Sequence, residues 1–95
     1  MAMIRSFRDK ITAALFLGKP PQRVPPDVRK RAREKLDMID AATTIDALRI
    51  PPGNRLEALQ GSRFGQWSVR VNDQWRICFR YVDGDAWDVE LCDYH

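Results

Sequence analysis

Residues 67–80 read WSVRVNDQWRICFR, and the fold turns on this stretch. Trp67, Val69 and Val71 alternate with Ser68 and Arg70, the period of two that a half-buried strand shows. After Asn72-Asp73 the alternation resumes. Trp75, Ile77, Phe79 and Tyr81 fall on one side, and Arg76, Cys78 and Arg80 fall on the other. Asn72-Asp73 therefore predicts a tight hairpin turn between two antiparallel strands. One face of the pair is apolar, and the other carries Arg70, Arg76 and Arg80 in a common phase.

Downstream, Asp83-Gly84 predicts a second turn into AWDVELCDYH, where Val89 and Leu91 would anchor a last strand in the core. Upstream, RLEAL reads as one short strand. The six prolines come in adjacent pairs, Pro20-Pro21, Pro25-Pro26 and Pro51-Pro52, which punctuate the chain. Between the second and third pairs, PPDVRKRAREKLDMIDAA predicts a helix whose apolar stripe is Val28, Ala32, Leu36 and Ile39. Asp27–Arg31 and Arg33–Asp37 are spaced as i,i+4 ion pairs on its polar faces. TTIDALRI predicts a further short helical turn with Thr44 as its N-cap. At the start, MIRSF reads as a short strand and DKITAALFLG as a short helix closed by Gly18. The predicted order is β-α-α-β-β-β, an α+β chain in which helices precede the antiparallel meander that they cover.

With 95 residues, 44% of them hydrophobic, the chain predicts a single domain over 1–95. Met1 and Ala2 look like an expression scar, with Met3 as the natural start. Lys and Arg number 16 against 13 Asp and Glu, a net charge of +3. Arginines far outnumber lysines, which suits bidentate contact with phosphate. On the central helix the basic residues read first as a solvated face rather than a nucleic-acid contact. Cys78 and Cys92 lack zinc-ligand spacing, so buried reduced thiols are predicted, with no metal and no cofactor. The longest apolar run, AALFL, is far too short to span a membrane, and no signal peptide is visible. A cytoplasmic protein with no membrane partner is expected.

Three arginines on one sheet face repel one another unless anions lie nearby. Asp88 and Glu90 are candidate structural partners, and an RNA phosphate is the functional alternative. The terminal Asp93-Tyr94-His95 adds chemistry to that face. RNA cleavage through its own 2′-hydroxyl needs a base, an acid and cations for the growing phosphorane charge. His95, the only histidine, titrates near neutrality and suits either proton role. An aspartate beside it fixes a tautomer or takes a proton, and a tyrosine stacks on a base or donates its hydroxyl.

MIRSFRDK, LFLGK, KLDMIDAATTIDALRIPPGNRLEAL, GQWSVRVNDQWRICFRY and GDAWDVELCDYH, in that order, resemble the HigB-type toxins of the RelE/ParE superfamily. The resemblance runs from Met3 to His95. Its most specific motifs are WSVRVNDQWRICFR and the terminal DYH. It implies a RelE-like fold, a small twisted antiparallel sheet with two helices packed on one side. It also implies a metal-independent endoribonuclease that cleaves messenger RNA on the 70S ribosome. The implied partner is a HigA-type helix-turn-helix antitoxin, with operator DNA reached only through the antitoxin complex. By position, Arg76 would hold the scissile phosphate and His95 would be the general acid or base, with Asp93 assisting and Tyr94 engaging the target nucleotide. RNA contacts are expected from Gln74, Trp75, Arg70, Arg63, Arg55 and Arg80.

Some relatives carry roughly LHPLKG where this chain has LEALQG, so Glu57 and Gln60 stand in place of histidine and lysine. Glu57 becomes the candidate to accept the 2′-hydroxyl proton. Two other readings of the residues stay open: a gyrase poison of the ParE type on the same scaffold, and a non-catalytic RNA- or ribosome-binding module.

Overall fold

The computed structural model describes residues 3–19 and 21–94. Two helices, α1 (Lys10–Phe16) and α2 (Pro26–Ala41), precede four strands: β1 (Glu57–Ala58), β2 (Trp67–Arg70), β3 (Trp75–Val82) and β4 (Asp85–Asp93). The strands form one antiparallel sheet in the order β1-β2-β3-β4. Three short 3-10 helices, Ile45–Arg49, Pro52–Asn54 and Gly61–Arg63, fill the connections.

The helix starts where its chemistry allows. Pro26 opens α2 after Pro25 as N-cap at φ −54° and ψ 144°, the ring of Pro26 fixing φ for the first turn with no amide hydrogen to strand. Val28, Ala32, Leu36 and Ile39 are all buried, so the predicted stripe is the face that meets the sheet. Their partners are Val69, Val71, Ile77, Phe79 and Val89, from the face predicted to be apolar. In α1, the Asp9 carboxylate accepts the Thr12 amide hydrogen at 2.7 Å as the N-cap. Gly18, at φ +80°, closes the helix as predicted. Thr44 caps the 3-10 turn over Ile45–Arg49 by accepting from the Ala47 amide. On the polar side of α2, Arg33–Asp37 forms at 3.3 Å, whereas Asp27–Arg31 is not among the ion pairs of the described residues.

Three strand expectations need correction. MIRSF is not a strand of the sheet but an arm, held parallel to the free edge of β4 at two isolated bridges, Ile4–Ala86 and Phe7–Val89. Between those bridges β4 bulges: Asp88 takes φ +54° and the β3–β4 register shifts between Cys78 and Arg80. The bulge breaks the continuous ladder that a parallel strand would need. The observed order is α-α-β-β-β-β: the leading strand of the predicted order is absent, and four strands rather than three follow the helices, with β1 entering as a short edge pair cut from RLEAL.

The β2–β3 turn is also wider than Asn72-Asp73. The Val71 and Asn72 amides both donate to the Trp75 carbonyl, at 2.9 and 3.2 Å. Asn72 Oδ1 accepts from the Gln74 and Trp75 amides at 2.9 and 2.8 Å, a side chain standing in for a backbone turn. The β3–β4 turn is as predicted, with Asp83 and Gly84 both at positive φ between the paired Val82 and Asp85.

Candidate active site

The face of the sheet away from the helices carries a cleft of about 490 Å³. Its walls are Arg55 and Glu57 from the edge by β1, Arg70, Asn72 and Asp73 from the end of β2 and its turn, Arg76 from β3, and Tyr94 beyond β4. Alternation explains the gathering. Arg70 and Arg76 are directly opposed in the β2–β3 register, and Glu57 opposes Ser68 one strand further out. All four side chains therefore point from one face.

Directly opposed arginines are unfavourable unless each is drawn to an acceptor. Arg70 turns to the carboxylate of Asp73. Arg76 is the more firmly held. Its Nε donates to Ser68 Oγ and its Nη2 to the Arg55 carbonyl, both at 2.8 Å, while Glu57 Oε1 lies 3.7 Å from Nη2. Ser68 is fully buried, so this bond also satisfies a hydroxyl that has lost water. Among the described residues nothing accepts from Arg76 Nη1, which leaves donor capacity for a ligand in the cleft. Arg55 sits in the left-handed region at φ 43°, uncommon for a side chain of its size. That turn aims its carbonyl at Arg76, and Arg55, which lines the cleft, has no ion pair among the described residues.

Tyr94 is held by its amide, which donates to the Gln74 carbonyl at 2.6 Å, and its hydroxyl lies 3.5 Å from Cys78 Sγ. Burial and the Cys78 contact push its phenol up to about 12. At neutral pH it is a donor and not a base. Beneath it Cys78 and Cys92 are buried and unbridged, as predicted, in a small cluster with Leu59. The neighbouring Cys92 thiol lowers Cys78 against the opposing effect of burial, with Tyr94 and Arg63 helping, and Cys92, whose Sγ donates to the Glu90 carbonyl at 3.7 Å, is raised in turn.

The other predicted site residues are placed as follows. Gln74 Nε2 donates to Asp93 Oδ1 at 3.1 Å at the rim of the cleft, and Asp93 opposes Trp75 in the register. Trp75 packs against the core under the opposite face, so its ring is not a wall of the cleft. Arg63 is bound to Glu90 at 3.2 Å and Gln66 at 3.0 Å and lines a separate hollow with Arg8. Arg80 lies 3.6 Å from Asp88, also outside the cleft. Of the two acids named as structural partners, Asp88 holds Arg80 of the three face arginines, whereas Glu90 holds Arg63 instead. His95 lies outside the described residues, as do Met1 and Ala2. Ser68, Asn72 and Asp73 belong to the site but carry no functional signature in the sequence. Ser68 was legible only as sharing a face with Arg76 across one register step.

Among the described residues no group of His, Cys, Asp and Glu is arranged to hold a metal ion. No helix is long and apolar enough to cross a membrane.

Comparison with known proteins fits this geometry. The family model described as the RelE-like toxin of the type II toxin–antitoxin system HigB matches residues 5–95. A protein of Vibrio cholerae named Toxin HigB-1 is 39% identical over 90 residues, covering 94% of this chain and 95% of its own. Endoribonuclease HigB of Proteus vulgaris is 38% identical over 97 residues, covering 98% of this chain and all of its own. Among solved structures, the YoeB–YefM complex from Staphylococcus aureus superposes with a TM-score of 0.61 over 97% of both chains at 18% identity, a likeness of fold. From the match over nearly its whole length, the chain belongs to the RelE-like HigB toxins of type II toxin–antitoxin systems, proteins that pair with an antitoxin.

Proposed function

We propose that the protein is an endoribonuclease that cuts messenger RNA on the 70S ribosome by attack of the RNA's own 2′-hydroxyl, and so halts translation. The observation that carries this reading is Arg76, a guanidinium fixed by Ser68 and the Arg55 carbonyl with donor capacity turned to a cleft that Arg55 and Arg70 also line. A relative matching the whole chain is named for endoribonuclease activity.

In this mechanism Arg76 holds the scissile phosphate. The 2′-oxygen bonds to phosphorus as its proton passes to a base, and the bond from phosphorus to the 5′-oxygen breaks as that oxygen takes a proton from an acid. The products are a 2′,3′-cyclic phosphate and a 5′-hydroxyl. Glu57 is the base, placed in the cleft beside the guanidinium. His95 is the acid, with Asp93 assisting it. Tyr94 contacts the target nucleotide through its ring and its protonated hydroxyl, and Gln74 orders the rim through Asp93. Charge on the phosphorane is met by arginine rather than by a metal. The antitoxin is of the HigA helix-turn-helix type, and the pair reaches operator DNA together. The protein acts in the cytoplasm, where the ribosome is.

His95→Gln and Glu57→Gln, assayed by primer extension on ribosomes programmed with a defined message, test the roles. Each is expected to lower single-turnover cleavage by about 10²-fold or more, with cyclic phosphate at the residual 3′ ends. Full cleavage by His95→Gln would overturn the acid assignment. Wild-type protein that binds ribosomes and never cuts would leave the non-catalytic module.

A further inference from the structure

Arg70 is a wall of two hollows. One is the cleft at Arg76, and the other is a groove of about 220 Å³ along α2, lined by Arg31, Glu34, Lys35, Gly53, Arg70 and Val71. The loop from Gly53 to Arg55 is the rim between them, because Gly53 faces the groove and Arg55 the cleft. Three cations and one acid line the groove. Lys35 is held in place there, since its Nζ donates at 2.6 Å to Oδ1 of the fully buried Asn54. Asn54 in turn donates to the Leu48 carbonyl at 3.1 Å and is followed directly by Arg55. Arg31, expected to pair with Asp27, has no ion pair among the described residues. Each hollow is thus lined by an arginine with no ion pair among the described residues, Arg55 in the cleft and Arg31 in the groove, with Arg70 between.

A single-stranded RNA carries a phosphate at every residue, so a strand seated with one phosphate at Arg76 must place its neighbours within reach of the surrounding surface. We propose that the groove is a second backbone subsite for that same strand: Arg31 and Lys35 take a phosphate flanking the scissile one, and Arg70 spans both subsites. The proposal rests on the endoribonuclease reading and names its further contact. The groove offers charge without base-reading donors and acceptors in a fixed pattern, so it fixes register and adds affinity but does not read sequence. The face of α2 read first as merely solvated would then be part of the binding track.

The test uses fluorescently labelled RNA strands of increasing length, 2′-O-methylated throughout so that no nucleophile is available, with binding followed by anisotropy. Dinucleotides fill only the cleft, whereas hexanucleotides reach the groove. Wild type is expected to bind the longer strand more tightly, and Arg31→Ala, a change on an exposed helix position, to lose most of that gain while binding the dinucleotide as before. The slope of log affinity against log salt should fall by about 0.7 for the phosphate lost. Glu34→Gln should tighten only the longer strand. An equal loss at both lengths, no loss at either, or no gain with length in the wild type would overturn the subsite. A wild type that shows the length effect and still cuts no message on ribosomes would overturn the endoribonuclease reading and leave the groove as an RNA-binding surface.

Discussion

Arg76 shows how much of a site can rest on what surrounds one side chain. It is flanked by a buried hydroxyl and a carbonyl delivered by a left-handed residue, and both accept from it at 2.8 Å. A lysine keeps the charge but has one ammonium where the guanidinium has a fork, so it cannot serve both acceptors and a phosphate together. Arg76→Lys is expected to cut single-turnover cleavage by about 10²-fold and to lower stability by about 1 kcal/mol as Ser68 loses its donor. Ribosome cleavage and urea unfolding measure the two separately. The thiols below Tyr94 make a different prediction. Cys78 is lowered from 9.0 to about 7 by the neighbouring Cys92 thiol, outweighing burial, with Tyr94 and Arg63 contributing. A depressed acid gives stability that is full above its unfolded value and is lost as pH falls through its folded one. Unfolding free energy should therefore rise between pH 7 and 9, by on the order of 1 kcal/mol. Cys78→Ala should flatten that rise. Tyr94, raised to about 12, does not titrate in this window.

Elements were legible wherever a period ran long enough to be unambiguous. The stripe of α2 and the alternation through β2 and β3 fixed which side chains enter the core, and hence that Arg70 and Arg76 share the other face. The same alternation puts Trp75 on the core side, where it is found packed, even though resemblance placed it among the RNA contacts. What could not be read were features made by backbone geometry. The bulge at Asp88 turns an expected first strand into an arm, and no local period announces it. The loop from Ile50 to Arg55 has no period either, yet buried Asn54 organises it and Arg55 ends it at φ 43°. That conformation gives a prediction with two opposite signs. Arg55→Gly relieves the left-handed strain and should leave stability unchanged or raise it by about 1 kcal/mol. It also removes from the cleft lining a side chain that has no ion pair among the described residues, and should weaken RNA binding several-fold. Thermal melting beside anisotropy separates the two effects.

At the scale of the whole molecule, a four-stranded open sheet has two edges to protect. One is β1, too short to recruit another chain. The other is β4, long and with buried residues along it, and the amino-terminal arm covers it. Met3 and Ser6 carbonyls accept from Ala86 and Val89, and Arg5 and Arg8 amides donate back to the same two residues. Ser6 Oγ takes the Asp88 amide at 2.8 Å, the group that the bulge leaves unpaired. The arm also reaches the helical layer. The Ile4 amide donates to Asp40 Oδ1 on α2 at 2.9 Å, and the Phe7 and Phe16 rings lie 5.6 Å apart. The arm therefore does two jobs: it ties helix to sheet and denies the edge to other chains. Ser6→Ala should cost about 1 kcal/mol, the loss of one buried partner, and leave a monomer. Deleting residues 3–8 removes the whole cover at once. It should lower the unfolding free energy by at least about 3 kcal/mol and let β4 pair with β4 of a second copy, seen as dimers and larger species in size-exclusion chromatography. Charge on the exposed edge would slow that pairing, so Trp87→Lys, at an exposed position of β4, in the deleted background should restore the monomer without restoring stability. A deletion variant that stays monomeric with an unchanged urea midpoint would show that the sheet guards this edge by some other means.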